Sequence, residues 1–274
     1  MGKKAASGAL APRPTTELEP WEQELAKEAQ ASKETVAGIG GGVFASIRGG
    51  RLSIGDVEFP DGNAAVIVLG SVKTKAYYEG DFDPKTPTPP VCYAFGKVNG
   101  TETHNDLVPH PESAKVQCES CKNCPHNIFG TANRGKGKAC KDQIRLAFLD
   151  GGSFENGVFK PLKKIESVVS GDVAILSLPP TGLVPWASYV RGLSDNVHRP
   201  VYGVVTHLHV APDDTTIVKL TFACQELCTK EQIVPLRARA AGVEALLVQP
   251  YPKAGAVAAP AKPGKGKKGK KDKF

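Results

Sequence analysis

Three cysteines spaced two residues apart constrain this chain more than any other feature. They stand in the run Cys118-Glu-Ser-Cys121-Lys-Asn-Cys124-Pro125-His126, and Cys140 closes a Gly-Lys-Gly-Lys-Ala stretch downstream. Two thiolates with two residues between them can face one ion from a tight loop, and a more distant pair completes a tetrahedron. The flanking Glu119, Lys122 and Asn123 are poor neighbours for merely buried thiols. Residues 99–141 form a long polar segment of a kind that seldom orders unaided, and a bound ion supplies the missing stabilisation. The segment is expected to fold around one zinc ion. Four thiolates leave no open coordination position, so the ion is expected to be structural.

Five thiols are available for four places. One set is Cys118, Cys121, Cys124 and Cys140. The other takes Cys92, delivered by the proline-rich stretch 84–90, and leaves Cys118 spare. The second is preferred, because ligands drawn from separate elements pin a fold more firmly. Three cysteines followed by a proline also partly match an iron–sulfur run, but the fourth cysteine that such runs place before the proline is missing.

The chain holds seven cysteines, and its start, Met1-Gly2-Lys3-Lys4, lacks the apolar run of a secretory signal. A reducing cytoplasm is expected, where cysteines serve as ligands or buried thiols rather than disulfides. No stretch reaches 18 consecutive apolar residues, so neither a membrane span nor a membrane partner is expected.

The formal charge is +7, and its position matters more than its size. Eight lysines and one aspartate lie beyond residue 252, so the remainder is neutral. The chain reads as three parts. Residues 1–40 are a flexible start with one amphipathic helix over 16–36. Residues 41–252 form one domain, with the zinc loop at about 92–141. Residues 253–274 are a disordered Lys-rich tail suited to an acidic partner. Gly38–Gly42 reads as a hinge, since it lacks the ending of a phosphate loop.

Twenty-nine glycines and 22 prolines favour short strands over long helices. Strands are expected at 43–47, 51–54, 64–69, 71–78, 91–93, 144–149, 173–178, 201–210 and 216–224, and helices at 186–193 and 230–247. The fold class is therefore mainly β (α+β): an OB-like small barrel with an inserted zinc-binding loop and a few short helices.

Arg134, Lys136, Lys138 and Lys141 lie between Cys124 and the next strand, followed by Arg145, with only Asp142 opposing them. Glycines here allow backbone amides close to a phosphate, and the cations neutralise it. Single-strand binding also uses aromatic rings on which bases stack. Tyr77, Tyr78, Tyr93, Phe95 and Phe129 flank the cysteine region. Catalytic motifs are missing: there is no His-Glu-x-x-His, no nucleophile elbow and no dense carboxylate set. A non-enzymatic protein without a small-molecule substrate is expected.

Several stretches resemble a group of tailed-bacteriophage proteins, some of them labelled single-stranded DNA-binding proteins. These are Ile47-Arg-Gly-Gly-Arg-Leu52, Tyr77-Tyr-Glu-Gly-Asp-Phe-Asp-Pro84, Pro90-Val-Cys-Tyr93, Cys121-Lys-Asn-Cys-Pro-His-Asn-Ile-Phe-Gly130, Gly135-Lys-Gly-Lys-Ala-Cys-Lys141, Leu176-Ser-Leu-Pro-Pro-Thr181 and Trp186-x-x-Tyr-Val190. The resemblance spans about 43–252. It implies a metal site from Cys92, Cys121, Cys124 and Cys140. It also implies an oligonucleotide-binding barrel that covers single strands, DNA first, during phage replication or recombination in the host cytoplasm. Replication or recombination proteins are then the expected partners. The lysine tail departs from the acidic tail usual in single-strand binders. The alternative is a non-enzymatic, zinc-stabilised adaptor for a host or phage polymerase or another nucleic-acid-processing protein.

Overall fold

The computed structural model describes residues 43–55, 57–59, 61–80, 88–133, 135–162, 169, 171–214 and 216–251. The expected helix at 16–36, the hinge at 38–42 and the tail at 253–274 lie outside the described residues.

Among the described residues ten strands form one sheet. They are β1 (Val43–Arg48), β2 (Arg51–Ile54), β3 (Val57–Phe59), β4 (Asn63–Tyr77), β5 (Cys92–Val98), β6 (Lys141–Glu155), β7 (Val158–Pro161), β8 (Ala174–Leu178), β9 (Val204–Asp213) and β10 (Ile217–Leu227). Among the described residues three α-helices accompany them: α1 (Pro180–Gly192), α2 (Lys230–Ala241) and α3 (Glu244–Leu247). The sheet order is β10-β9-β4-β6-β8-β1-β2-β3, with β5 added to β4 and β7 to β6. β1 and β8 pair in parallel; the other pairs are antiparallel.

The apolar run of β4 is buried on both faces, which explains its unbroken hydrophobicity. Ala64, Val66 and Val68 pack on one side with Phe148, Leu176 and Leu208. Ala65, Ile67 and Leu69 pack on the other with Leu149, Ile175 and Leu236. A register shift against β6 between Val68 and Gly70 reverses the alternation, so Val72 joins the second group. This bulge divides what would read as two strands but leaves one element of 15 residues. Along one edge of β4, its first residues pair with β9 and its last with β5. The strand therefore joins the body of the sheet to the cysteine segment.

The first core faces the inside of a curl. It gathers side chains from β1, β2, β4, β6, β8, β9 and β10, and Trp186 of α1 plugs it. Trp186 meets Phe222 of β10 edge-on at 5.3 Å. Gly62, at φ +65°, brings the turn before β4 against β9, and a Cβ there would strike the Val210 carbonyl oxygen. The outer face is covered by α2 and α3 through Leu236, Val243 and Leu247.

The expectation of a mainly β domain with a few helices is met, with a mixed sheet. The barrel does not close. β3 has three residues and pairs with β2 alone, β10 pairs with β9 alone, and no ladder joins them among the described residues. β3 and β7 were not expected. The helix expected at 230–247 is two helices, α2 and α3, with Gly242 at the break. Among the described residues no helix is long and apolar enough to cross a membrane.

Candidate metal centre and the loop above it

The end of β4, the start of β5 and the start of β6 carry the cysteine segment. Register opposes Tyr77 to Cys92 and Ala76 to Lys141, so Cys92 and Cys140 arrive on either side of the end of β4. Between them the chain makes short turns. The Cys121 amide donates to the Leu107 carbonyl at 3.2 Å, and the Asn127 amide to the Cys124 carbonyl at 2.9 Å. The Cys140 amide donates to the His126 carbonyl at 2.8 Å. The Asn127 side-chain amide donates to the Cys121 carbonyl at 2.8 Å.

These turns place Cys92, Cys118, Cys121, Cys124 and Cys140 around one small cavity, together with Lys75, Tyr77 and Gln117. All but Cys118 are buried. Burial pushes the Cys118, Cys121 and Cys140 thiols up to about 12, and the neighbouring cysteines add to the shift. Lys75 pulls Cys121 and Cys140 the other way. The Cys118 thiol donates to the Ser120 carbonyl at 3.1 Å. Among the described residues no three His, Cys, Asp or Glu side chains stand at the mutual spacing of a metal site. The five thiols share a cavity without being drawn together.

The residues expected to meet nucleic acid fall into distinct environments. Phe129 is 76% exposed, with the Lys138 ammonium 5.1 Å from its ring centroid. Ile128 beside it is also exposed, as is Lys136. Lys138 is half-buried and bonded to Asn127 and Asp142. The Lys141 ammonium donates to the Lys138 carbonyl at 2.7 Å. Tyr77 is half-buried and stacks on His126 at 4.0 Å, and Tyr78 is partly exposed. Arg134 lies outside the described residues.

Two of the expected contacts are interior. Tyr93 is buried against His110, Phe95 and Tyr251. Arg145 is also buried, because β6 turns it to the outer sheet face, where the segment after α3 covers it. It donates to the Leu247 and Gln249 carbonyls at 3.0 and 2.9 Å. Neither side chain is presented to a ligand at the surface, so the exposed set reduces to Phe129 and Lys136 on the loop and Tyr78 just past the end of β4.

Nothing in the sequence singles out Lys75 or Asn127. The alternation over 71–78 gives no sign that Lys75 is buried. The isolation of Asp142 among cations is visible, and it marks the carboxylate to which Lys75 and Lys138 bond.

No family model matches the chain, and no curated protein or solved structure is similar to it.

Proposed function

We propose that the chain is a single-stranded DNA-binding protein of phage replication or recombination, in which a structural zinc ion on Cys92, Cys121, Cys124 and Cys140 holds a binding loop. The observation that carries the reading is Phe129. A large ring exposed at the tip of a cysteine-anchored loop, with an ammonium against it and Lys136 nearby, offers a stacking surface and counter-charge together. The donor set is of the kind that suits zinc: soft thiolates lining one small cavity. Cys118 is left out of the set because it is the least buried of the five and its thiol is bonded to Ser120. The binding surface is the loop and the adjoining end of an open, curled sheet, in place of the groove of a closed OB barrel.

A titration of zinc-loaded protein on oligo-dT at two salt concentrations tests this. Binding at low salt that weakens as salt rises is expected, and no binding at low salt contradicts it. The adaptor reading rests on a different observation. Val108, Val116, Ile128 and Phe129 are all exposed on the cysteine segment, as suits an apolar partner. It gains if the zinc-loaded body ignores DNA.

A further inference from the structure

The hydrogen-bond network beside the cysteine cavity holds more positive charge than it neutralises, and one of its ammonium groups, Lys75, is fully buried. Lys75 is 1% exposed and lines the cavity. Its ammonium donates to Asn127 Oδ1 at 2.7 Å and to Asp142 Oδ1. The Lys138 ammonium donates to the same Asn127 Oδ1 at 3.1 Å and to Asp142 Oδ2 at 3.0 Å. Asn127 is neutral, so two ammonium groups share one carboxylate, and one positive charge is left over. Burying an ion without its counter-ion is costly. The cavity that Lys75 lines is also lined by the five thiols.

We infer that Lys75 is the counter-charge of the metal centre, which the cavity is built to hold as a net anionic complex: one divalent, thiophilic ion with four thiolates. This rests on the reading that the cysteines bind metal, and it specifies the charge of what they bind. A neutral centre of two thiolates and two imidazoles would leave the excess ammonium unmatched. Lys75 is a positioning residue, acting through charge rather than by ligation. Partners around ligands tune metal affinity in this way. The same network also reaches the tip of the loop, because Lys138 lies against Phe129.

The test uses the full chain and four variants: Lys75→Met, Lys75→Arg, Asn127→Asp and Asn127→Leu. Zinc affinity is measured by competition with a chromophoric chelator, and the cobalt-saturated absorption spectrum is recorded for each. Asn127→Leu measures the cost of losing the amide that donates to the Cys121 carbonyl and adds no charge; Lys75→Met removes the charge, and Asn127→Asp cancels it. Both are expected to weaken zinc binding by about 10–100-fold with the thiolate-to-cobalt spectrum unchanged. Lys75→Arg keeps the charge and is expected to bind nearly as tightly as the parent. If Lys75→Met does not fold, Asn127→Asp against Asn127→Leu decides: weaker zinc binding in the aspartate variant supports the inference, and equal binding overturns it. Unchanged affinity in the charge-removing variants overturns the inference. So does an altered cobalt spectrum accompanying the loss, or an equal loss in Lys75→Arg, since either makes Lys75 a matter of shape. A parent protein that takes up neither zinc nor cobalt fails differently: it removes the metal reading itself.

Discussion

The guanidinium of Arg145 lies 4.8 Å from the ring centroid of Tyr251, 106 positions away in sequence, and 4.7 Å from that of Phe95 on β5. With its bonds to the Leu247 and Gln249 carbonyls, it fastens the segment after α3 onto the sheet beside the cysteine module. Arg145→Met would strip two carbonyls of a charged donor and leave them under cover. A loss of about 2–4 kcal/mol is expected by urea unfolding. Folded Arg145→Met should bind DNA like the parent, because the group it removes faces inward.

Phe129 has the opposite character. It contributes little to the core, and its ring is open to a base. Phe129→Ala is expected to keep the parent's unfolding midpoint and to weaken oligo-dT binding by about 1–3 kcal/mol, the usual worth of one stacked base. Equal affinity in a titration at matched salt would remove the loop tip from the binding surface.

The eight lysines beyond residue 252 carry the net charge of the whole chain. Deleting 253–274 should lower affinity and flatten its salt dependence by about 0.7 in log–log slope for each phosphate that the tail neutralises. Residual binding by the body is expected in the same titration series. Complete loss would leave the adaptor reading in possession of the body.

Gly62 is a purely structural position. Its positive φ and its closeness to the Val210 carbonyl admit no side chain. Gly62→Ala is expected to cost about 2 kcal/mol or more in a chemical melt, through strain and the forced shift of β9, with metal content unchanged.

The limits of the sequence lie in particular residues. The unbroken apolar run over 64–69 marks a strand buried on both sides, and the cysteine spacing marks the segment that gathers around one cavity. Length is harder to see. The helix expected at 186–193 begins earlier, at Pro180, because a proline in the first helical turn forfeits no hydrogen bond. The bulge at Gly70 makes one strand look like two. Arg145 and Tyr93 look like surface groups in the sequence because spacing does not say which strand or tail will cover a face. Only the register of β4, β5 and β6, with Tyr251 above them, puts both inside. Lys75 is hidden for the same reason: its partners Asn127 and Asp142 are 52 and 67 positions away.

The cysteine cavity is the centre of the account, and the most direct measurement is metal content. Elemental mass spectrometry of the purified chain is predicted to give one zinc per molecule. Cys118→Ser is predicted to keep it, and Cys92→Ser to lose most of it. Protein without bound metal, or zinc that survives Cys92→Ser but not Cys118→Ser, would contradict the account.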